Sequence, residues 1–502
     1  MKDTMHPIRD VKPEDTGARD LEMGVLQTID SIEKETCVKE LKNPDLVESQ
    51  CGIAAREGRS DNANATAFIQ STGHVLRYVP TWKKWLVWDG KRWRVDDDSS
   101  AVTHRARRYA SSLWTELGNI RCEPKEFQTI AGFVRTTNQS HGIEGFLKLA
   151  RCDEMVVISH EQLNAFPMRL NVLNGTIDLE SGKLNQHNPE DHITQLANVE
   201  FDSKAEAPEW VKTLELIFDN DSELIRYCQQ LLGYSISGDS GEAILPVCYG
   251  NGANGKSTIW NAVIELLGDY GMVAPSKLLM GTTNEHATDV ASLYQKRFVC
   301  IAEPEQNSNL REARVKELTG DCTITARRMR EDFWSFERTH KFWLASNHLP
   351  QIQGNDDGIW RRLKMIPFTV DLRQKVAPKP NFHKWLVENE GPGILNWMLA
   401  GFLDYRKNGF IEPHAVKNAT GNYRYQSDQL GQFVADRCVV EPSAVVSSNE
   451  LFRAYQDWGG QLTQTKFAID MALRFKREKR TFGPYRNKQV FEGIGLLSSD
   501  DY

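Results

Sequence analysis

The chain has 502 residues, of which 40% are hydrophobic and 26% charged, and its formal net charge is −7. That length is too great for one core and predicts several domains of ordinary globular composition. The acidic balance excludes a whole-molecule basic field, so any nucleic-acid contact has to come from local patches.

No stretch is apolar enough over a long enough run to span a bilayer, which predicts no membrane partner. The opening MKDTMHPIRDVKPEDTG lacks the apolar core of a secretion signal, which predicts a cytoplasmic protein. The 9 cysteines form no CxxC pair and read as reduced packing thiols rather than a zinc site.

In chain order, residues 1–64 read as a flexible polar arm, because segments such as DVKPEDTGARD bury too little surface to offset their ordering entropy. Residues 65–205 read as an α+β domain. In it RYVPTWKKWLVWDGKRWRVD alternates apolar and polar positions around Asp89-Gly90, the pattern of a β-hairpin. VTHRARRYASSLWTEL is helical, and NVLNGTIDLESGKL is a second hairpin turning at Ser181-Gly182. Trp82, Trp85, Trp88 and Trp93, interleaved with Lys83, Lys84, Lys91, Arg92 and Arg94, admit two readings. They form a stacking platform for single-stranded nucleic acid, or simply the buried face of a small domain.

Two helical stretches (EWVKTLELIF and ELIRYCQQLLGYSISG) lead into a segment that carries chemistry. The apolar run Ile244 to Tyr249 suits a buried strand and passes directly into Gly250-Asn251-Gly252-Ala253-Asn254-Gly255-Lys256-Ser257-Thr258. This matches G-x-x-x-x-G-K-[ST] in full, with a helix after it, and predicts a phosphate cradle for ATP. Lys256 is placed to reach the β and γ phosphates and Ser257 to hold Mg2+.

An ATPase also needs an acid at a neighbouring strand end. Phe298 to Ala302 supplies the strand, and Glu303 and Glu305 follow it as candidates for magnesium binding and water activation, unless they are an exposed strand end. Lys341 to Ser346 is a further apolar strand ending in Asn347, a sensor of the γ phosphate or a turn residue before Pro350. Arg361 and Arg362 precede a last strand, either as an arginine finger for an adjoining subunit or as structural residues.

With these residues in view, the chain resembles the superfamily 3 helicases, and among them the phage and plasmid primase-helicase family that includes the poxvirus primase-helicase. The resemblance rests on GNGANGKST, CIAEPEQ, VKELTGDCTITARRMRE, KFWLASNHLP and DDGIWRRLKMIPF, and extends over about residues 70–500. It implies an α/β fold: an AAA+-like P-loop NTPase core over 206–375, preceded by the α+β domain and followed by a helical extension over 376–435. It further implies a ring, usually a homo-hexamer, moving 3′ to 5′ on single-stranded and forked DNA. Lys256, Ser257, Glu303 and Asn347 take the nucleotide and metal roles, and Arg362 is favoured over Arg361 as the finger. The pore hairpin falls between Thr325 and Phe336, with Arg327, Arg328 and Arg330 as phosphate contacts; Arg327 alternatively makes an intersubunit ion pair.

Residues 436–502 read as a DNA-binding module of winged-helix type. Ser447-Ser448-Asn449-Glu450 is a capping box opening one helix. A second helix carries Phe467, Ala468, Met471, Ala472 and Phe475 inward and ends in Arg474, Lys476, Arg477, Lys479 and Arg480, before a strand led by Lys488. This basic cluster fits phosphate contact, or is a solvated helix end.

Two departures from the family pattern matter. Ala302 stands before Glu303 where two adjacent acids are usual, and where many relatives carry an N-terminal primase only about 64 polar residues precede the α+β domain, whose Asp96-Asp97-Asp98 does not sit on an apolar strand as polymerising carboxylates would. The expected function is an ATP-dependent helicase without its own primase, served by a separate one. A remodelling ATPase and a replicon-binding protein with a silent motor are the alternatives.

Overall fold

The computed structural model describes residues 58–281, 287–301, 308–327, 332–352, 356–481 and 483–497. Ser60 opens the first helix, Asp61–Thr72, by accepting the Ala63 amide on its hydroxyl at 3.3 Å. That bond satisfies a first-turn donor that the helix itself cannot. Phe68 and Ile69 are fully buried, and buried Asn64 donates from Nδ2 to Thr137 Oγ1 at 2.9 Å. The arm expected through residue 64 therefore gives way sooner, at a helix whose first turn is Asp61 to Asn64. Residues 1–57 lie outside the described residues.

This helix belongs to the first of two compact units, residues up to 166 with 173–176 and 185–196. Strands β1 (Leu76–Val79), β2 (Lys84–Trp88) and β3 (Trp93–Asp96) form an antiparallel meander, with Trp88 opposite Trp93 across the Asp89-Gly90 turn. Trp82, Trp85 and Trp93 are buried, and Trp93 Nε1 donates to the Pro189 carbonyl at 2.8 Å. Of the two readings of these tryptophans, the structure places three of the four in the core, while Trp88 is half-buried with its ring centroid 5.6 Å from that of Trp93. The acidic triplet beside them is a helix cap. Asp96 accepts the amides of Ala101 and Val102 at 3.2 and 2.9 Å at the start of helix Ser100–Leu117.

The second unit comprises residues 167–172, 177–184 and 197 onward. Short strands β4 (Arg169–Val172), β5 (Gly175–Asp178) and β6 (Lys183–Asn185) form a three-stranded sheet, with Ser181-Gly182 between the last two. Beyond them lie β7 (Leu245–Tyr249), β8 (Gly271–Ala274), β9 (Phe298–Ile301), β10 (Thr323–Arg327), β11 (Phe333–Glu337), β12 (Lys341–Ser346) and β13 (Leu363–Pro367). Five of these make a parallel central sheet in the order β13-β7-β12-β9-β8, so the unit is mixed α/β.

Alternate residues serve opposite faces of this sheet, as the period of a strand dictates. Trp343 and Ala345 of β12 join one core with Trp210, Tyr227, Ile259, Val263, Leu395 and Phe402, while Phe342 and Leu344 join another with Val315, Leu318, Trp334 and Phe336. Helices Pro208–Ile217, Ser222–Tyr234 and Phe382–Asn408 thus share a core with the sheet. The region expected at 376–435 as an extension is continuous with the domain before it. At Gly401 a Cβ would meet the Gln229 carbonyl at 2.1 Å, so the two longer helices meet backbone to backbone. Arg226 adds a bidentate bond to Asp404 at 2.7 and 2.8 Å.

The lower edge of the sheet holds buried cations against backbone carbonyls. Lys341 Nζ donates to the carbonyls of Ser237, Asp239 and Thr339, and Arg297 donates to those of Ile236 and Arg169, each at 2.6 Å. Arg338 donates to the Asp321 and Ser240 carbonyls. Together they fasten the segment 236–240, which leads into β7.

The C-terminal region has its own core of Phe433, Leu451, Tyr455, Phe467, Met471 and Phe491. Ser447 and Glu450 form the capping box of helix Ser448–Asp457 as expected. Around helix Gln464–Ala472 run β14 (Cys438–Val439), β15 (Val445–Ser447), β16 (Lys476–Lys479), β17 (Gln489–Glu492) and β18 (Gly495–Leu496), with the order β15-β17-β16. Two expectations fail here. Ala472 is exposed, and Lys476 to Lys479 are an edge strand rather than a helix end, because pairing with β17 satisfies their backbone groups. No described helix is long and apolar enough to cross a membrane.

Candidate functional site

β7 delivers the glycine-rich segment to the C-terminal edge of the parallel sheet, where open α/β sheets place their ligands. Gly250 has φ of +151°, and a Cβ there would meet the Phe368 carbonyl at 2.0 Å, so only glycine fits. Ala253 and Gly255 also have positive φ, at +61° and +85°, and the chain then enters helix Lys256–Leu267. Asn251 and Gly252 are exposed on the loop, Ser257 is exposed on the first helical turn and Thr258 is half-buried.

Lys256 is only 5% exposed. Its Nζ donates to the Gly250 carbonyl at 2.7 Å and to the Oδ1 atoms of Asn254 and Asn347, both at 3.1 Å. The structure therefore brings together the lysine of the loop and the amide at the end of β12, two residues 91 positions apart. Asn254 is buried as well, and its Nδ2 donates to the carbonyls of Asn251 and Phe368. A buried ammonium, a helix N-terminus and a loop pressed against β13 form a donor set that fits a phosphate.

Glu303 and Glu305 lie outside the described residues. The strand expected to carry them, β9, is parallel and adjacent to β12, with Ile301 beside Leu344. Among the described residues no cluster of His, Cys, Asp or Glu is assembled to hold a metal.

The paired arginines have opposite surroundings. Arg361 is exposed at the end of the short helix Asp357–Trp360. Arg362 is 8% exposed, donates to the Gly358 carbonyl at 2.6 Å and lies against Gly320, whose added Cβ would stand 2.9 Å from Arg362 Nη2. Burial lowers the pKa of Arg362, with neighbouring Arg361 adding to it. Of the two candidate fingers, Arg361 is thus the exposed one and Arg362 the buried one.

The pairing of β10 with β11 is antiparallel, with Arg327 opposite Phe333. Ile324, Ala326, Trp334 and Phe336 point inward, where Tyr294 packs 4.9 Å from Trp334. Arg327 points outward, its guanidinium 5.0 Å from the centroid of the Phe333 ring, and Phe333 is 63% exposed. Arg328 and Arg330 lie outside the described residues. Phe333 escaped the sequence reading, although its alternation with Trp334 and Phe336 in FWSFE marks it as the outward aromatic of the strand.

Half of the C-terminal basic cluster is engaged in ion pairs within its own fold. Arg474 pairs with Asp428, Lys476 with Glu478 at 3.0 Å and Glu492 at 2.8 Å, and Arg480 with Glu478 at 3.1 Å and with Glu492. Arg477, Lys479 and Lys488 are exposed, with Arg477 over the Phe491 ring at 5.9 Å and Lys488 over Tyr485 at 6.0 Å.

Comparisons with known proteins fall on both parts of this architecture. Residues 65–219 match the family described as D5 N terminal like, and residues 248–362 match a family of unknown function, DUF5906. "Putative helicase L207/L206" of Acanthamoeba polyphaga mimivirus is 28% identical over 310 residues, covering 57% of this chain and 32% of the relative. "Putative primase C962R" of African swine fever virus is 25% identical over 370 residues, covering 67% of this chain and 38% of the relative. The chain thus spans about a third of the length of these relatives. Among solved structures, the apo C-terminal region of NrS-1 aligns with a TM-score of 0.48 at 12% identity, over 87% of this chain and 100% of that one.

Proposed function

Because this chain belongs to the phage-type primase-helicase family, we propose that it is a ring-forming DNA helicase driven by ATP and Mg2+, acting in the replication of a phage, plasmid or other mobile element. The observation that carries this reading is the contact of Lys256 with Asn347 at the edge of the parallel sheet. A strand, a phosphate-type loop and a polar residue on the next strand are the parts that an AAA+-like P-loop core requires. Bound ATP supplies the transferable phosphoryl group. Lys256 neutralises its charge, Ser257 holds the metal, and Glu303 with Glu305 supplies the acid beside it. Asn347 orients the attacking water, and exposed Arg361 reaches the site of the adjoining subunit in a ring of about six, since a finger donated in trans needs a heterologous interface.

The β10–β11 hairpin is the DNA-gripping element of this reading, through Arg327, Arg328 and Arg330, with movement 3′ to 5′. The C-terminal region is a winged-helix module that contributes Arg477, Lys479 and Lys488 to phosphate contact. Priming is left to a separate primase.

The deciding experiment is strand displacement on a forked DNA with a 3′ tail, comparing the chain with its Lys256→Ala variant. Unwinding by the unaltered chain alone is expected, with a 5′-tailed control left closed. Loss of the lysine should lower ATP hydrolysis by about a hundredfold or more, the scale for removing one charge-stabilising donor. ATP hydrolysis indifferent to single-stranded DNA, with no unwinding, would instead identify an ATPase that remodels another replication factor.

A further inference from the structure

The pattern G-x-x-x-x-G-K-[ST] leaves the residue at position 254 unspecified, yet the structure gives its side chain three hydrogen bonds. Asn254 is 4% exposed. Its Oδ1 accepts from Lys256 Nζ at 3.1 Å, and its Nδ2 donates to the Phe368 carbonyl at 3.0 Å and to the Asn251 carbonyl. The amide cannot be turned over. The reverse orientation would set N–H groups against an ammonium and an oxygen against two carbonyls.

Phe368 follows β13, the strand that begins two residues after Arg361. The Phe368 amide donates to the Tyr249 carbonyl at 2.8 Å, so the end of β13 is itself fixed to the root of the loop. Only aspartate comes close to the shape of this side chain, and it lacks the two donors. A buried polar group with both donors and its acceptor engaged is costly to disturb, because the partners left behind cannot turn to water.

We propose that Asn254 is a positioning residue that holds the Lys256 ammonium in register with the end of β13, so that a displacement of that strand is felt at the lysine. Asn254 touches no substrate in this role; it acts through Lys256. The kinetic part of the proposal rests on the ATPase reading above, whereas the positional part concerns Lys256 alone.

Two variants and two measurements test it. The first measurement is the rate at which acetic anhydride modifies Lys256 in the nucleotide-free full chain, followed by peptide mass spectrometry. Asn254→Ala removes the acceptor and should raise that rate about tenfold, the scale of a lost bond to a charged group. Asn254→Asp keeps the acceptor, so Lys256 should stay as protected as in the unaltered chain. Thermal melting shows whether each variant is folded, and labelling is compared below the melting range.

The second measurement is ATP turnover against ADP affinity. Both variants should lower kcat by about tenfold or more while ADP affinity changes less than about threefold, because Asn254→Asp also loses the tie to Phe368. An unchanged labelling rate in Asn254→Ala overturns the proposal, whether or not the chain hydrolyses ATP. Full turnover in Asn254→Asp overturns the link to β13. If the unaltered chain hydrolyses no ATP, the ATPase reading fails, and the labelling result still decides the role of Asn254.

Discussion

Arg361 and Arg362 show how far two adjacent side chains of one type diverge in surroundings. Arg361→Ala removes an exposed group and should leave the melting temperature nearly unchanged; on the proposed reading of a ring ATPase with Arg361 as its finger, it should also abolish ATP hydrolysis stimulated by single-stranded DNA. Arg362→Ala instead leaves the Gly358 carbonyl without its donor and should cost about 1–3 kcal/mol of stability, read by denaturant unfolding. The same logic gives His340 a pH signature. It is fully buried beside Phe342, with Nε2 3.2 Å from the Leu318 carbonyl, and burial, helped by the Arg338 charge, lowers its pKa from 6.5 to about 3. The folded chain therefore keeps this imidazole neutral where the unfolded chain protonates it. Its contribution is whole above pH 6.5 and is lost as pH falls toward 3, approaching about 1.4 kcal/mol per pH unit. Between pH 6.5 and 4.5 the unaltered chain should lose about 2 kcal/mol more stability than His340→Leu. Equal losses in the two proteins would mean that His340 is not the group titrating.

At the scale of elements, the β10–β11 hairpin and the C-terminal module present charge in different ways. On the hairpin Arg327 lies over an exposed aromatic ring, so charge and a stacking face occur together. If the hairpin grips DNA as proposed, Phe333→Ala should weaken binding to single-stranded DNA by about 1–3 kcal/mol with little change in salt dependence. Arg327→Ala should reduce the slope of log affinity against log salt by about 1. Fluorescence anisotropy across a salt series separates the two, and identical losses of slope would argue against a stacking role for Phe333. In the C-terminal module, by contrast, Glu478 and Glu492 bind Lys476 and Arg480 across the β16–β17 pair. Those cations are held by carboxylates that a phosphate would have to displace.

At the scale of the molecule, the central sheet does not have a core to itself. Leu395, Met398 and Phe402 of helix Phe382–Asn408 sit in the same cluster as Trp343 and Ile366 of the sheet, and Glu390 accepts the amides of Glu209 and Trp210 at 3.0 and 2.9 Å. A fragment ending at residue 375 would expose that face and uncap the helix Pro208–Ile217. We expect the isolated fragment 206–375 to lack cooperative thermal unfolding, whereas a fragment 197–497 should retain it. Near-UV circular dichroism through a thermal scan distinguishes these outcomes, and a sharp transition in the shorter fragment would show that the long helix is dispensable.

Much of this was legible in the residues themselves. The Gly250–Thr258 loop, the Ser447–Glu450 cap, the hairpin at Asp89-Gly90 and the apolar runs of the parallel sheet are local patterns, and local sterics and hydrogen bonding decide them. Asn347 was legible as a polar residue ending an apolar strand, but its contact with Lys256, 91 positions away, was not. Other features were open until the chain was folded. The fate of the tryptophans depended on which face of the meander was covered, and the burial of Arg362 but not Arg361 on which guanidinium lay beneath Gly320. Whether the C-terminal cations were available depended on carboxylates that approach them from Asp428 and Glu492. Burial, cross-strand partners and the approach of distant carbonyls are properties of contacts between segments, so a sequence read along one dimension does not contain them, and only the tertiary structure decided them.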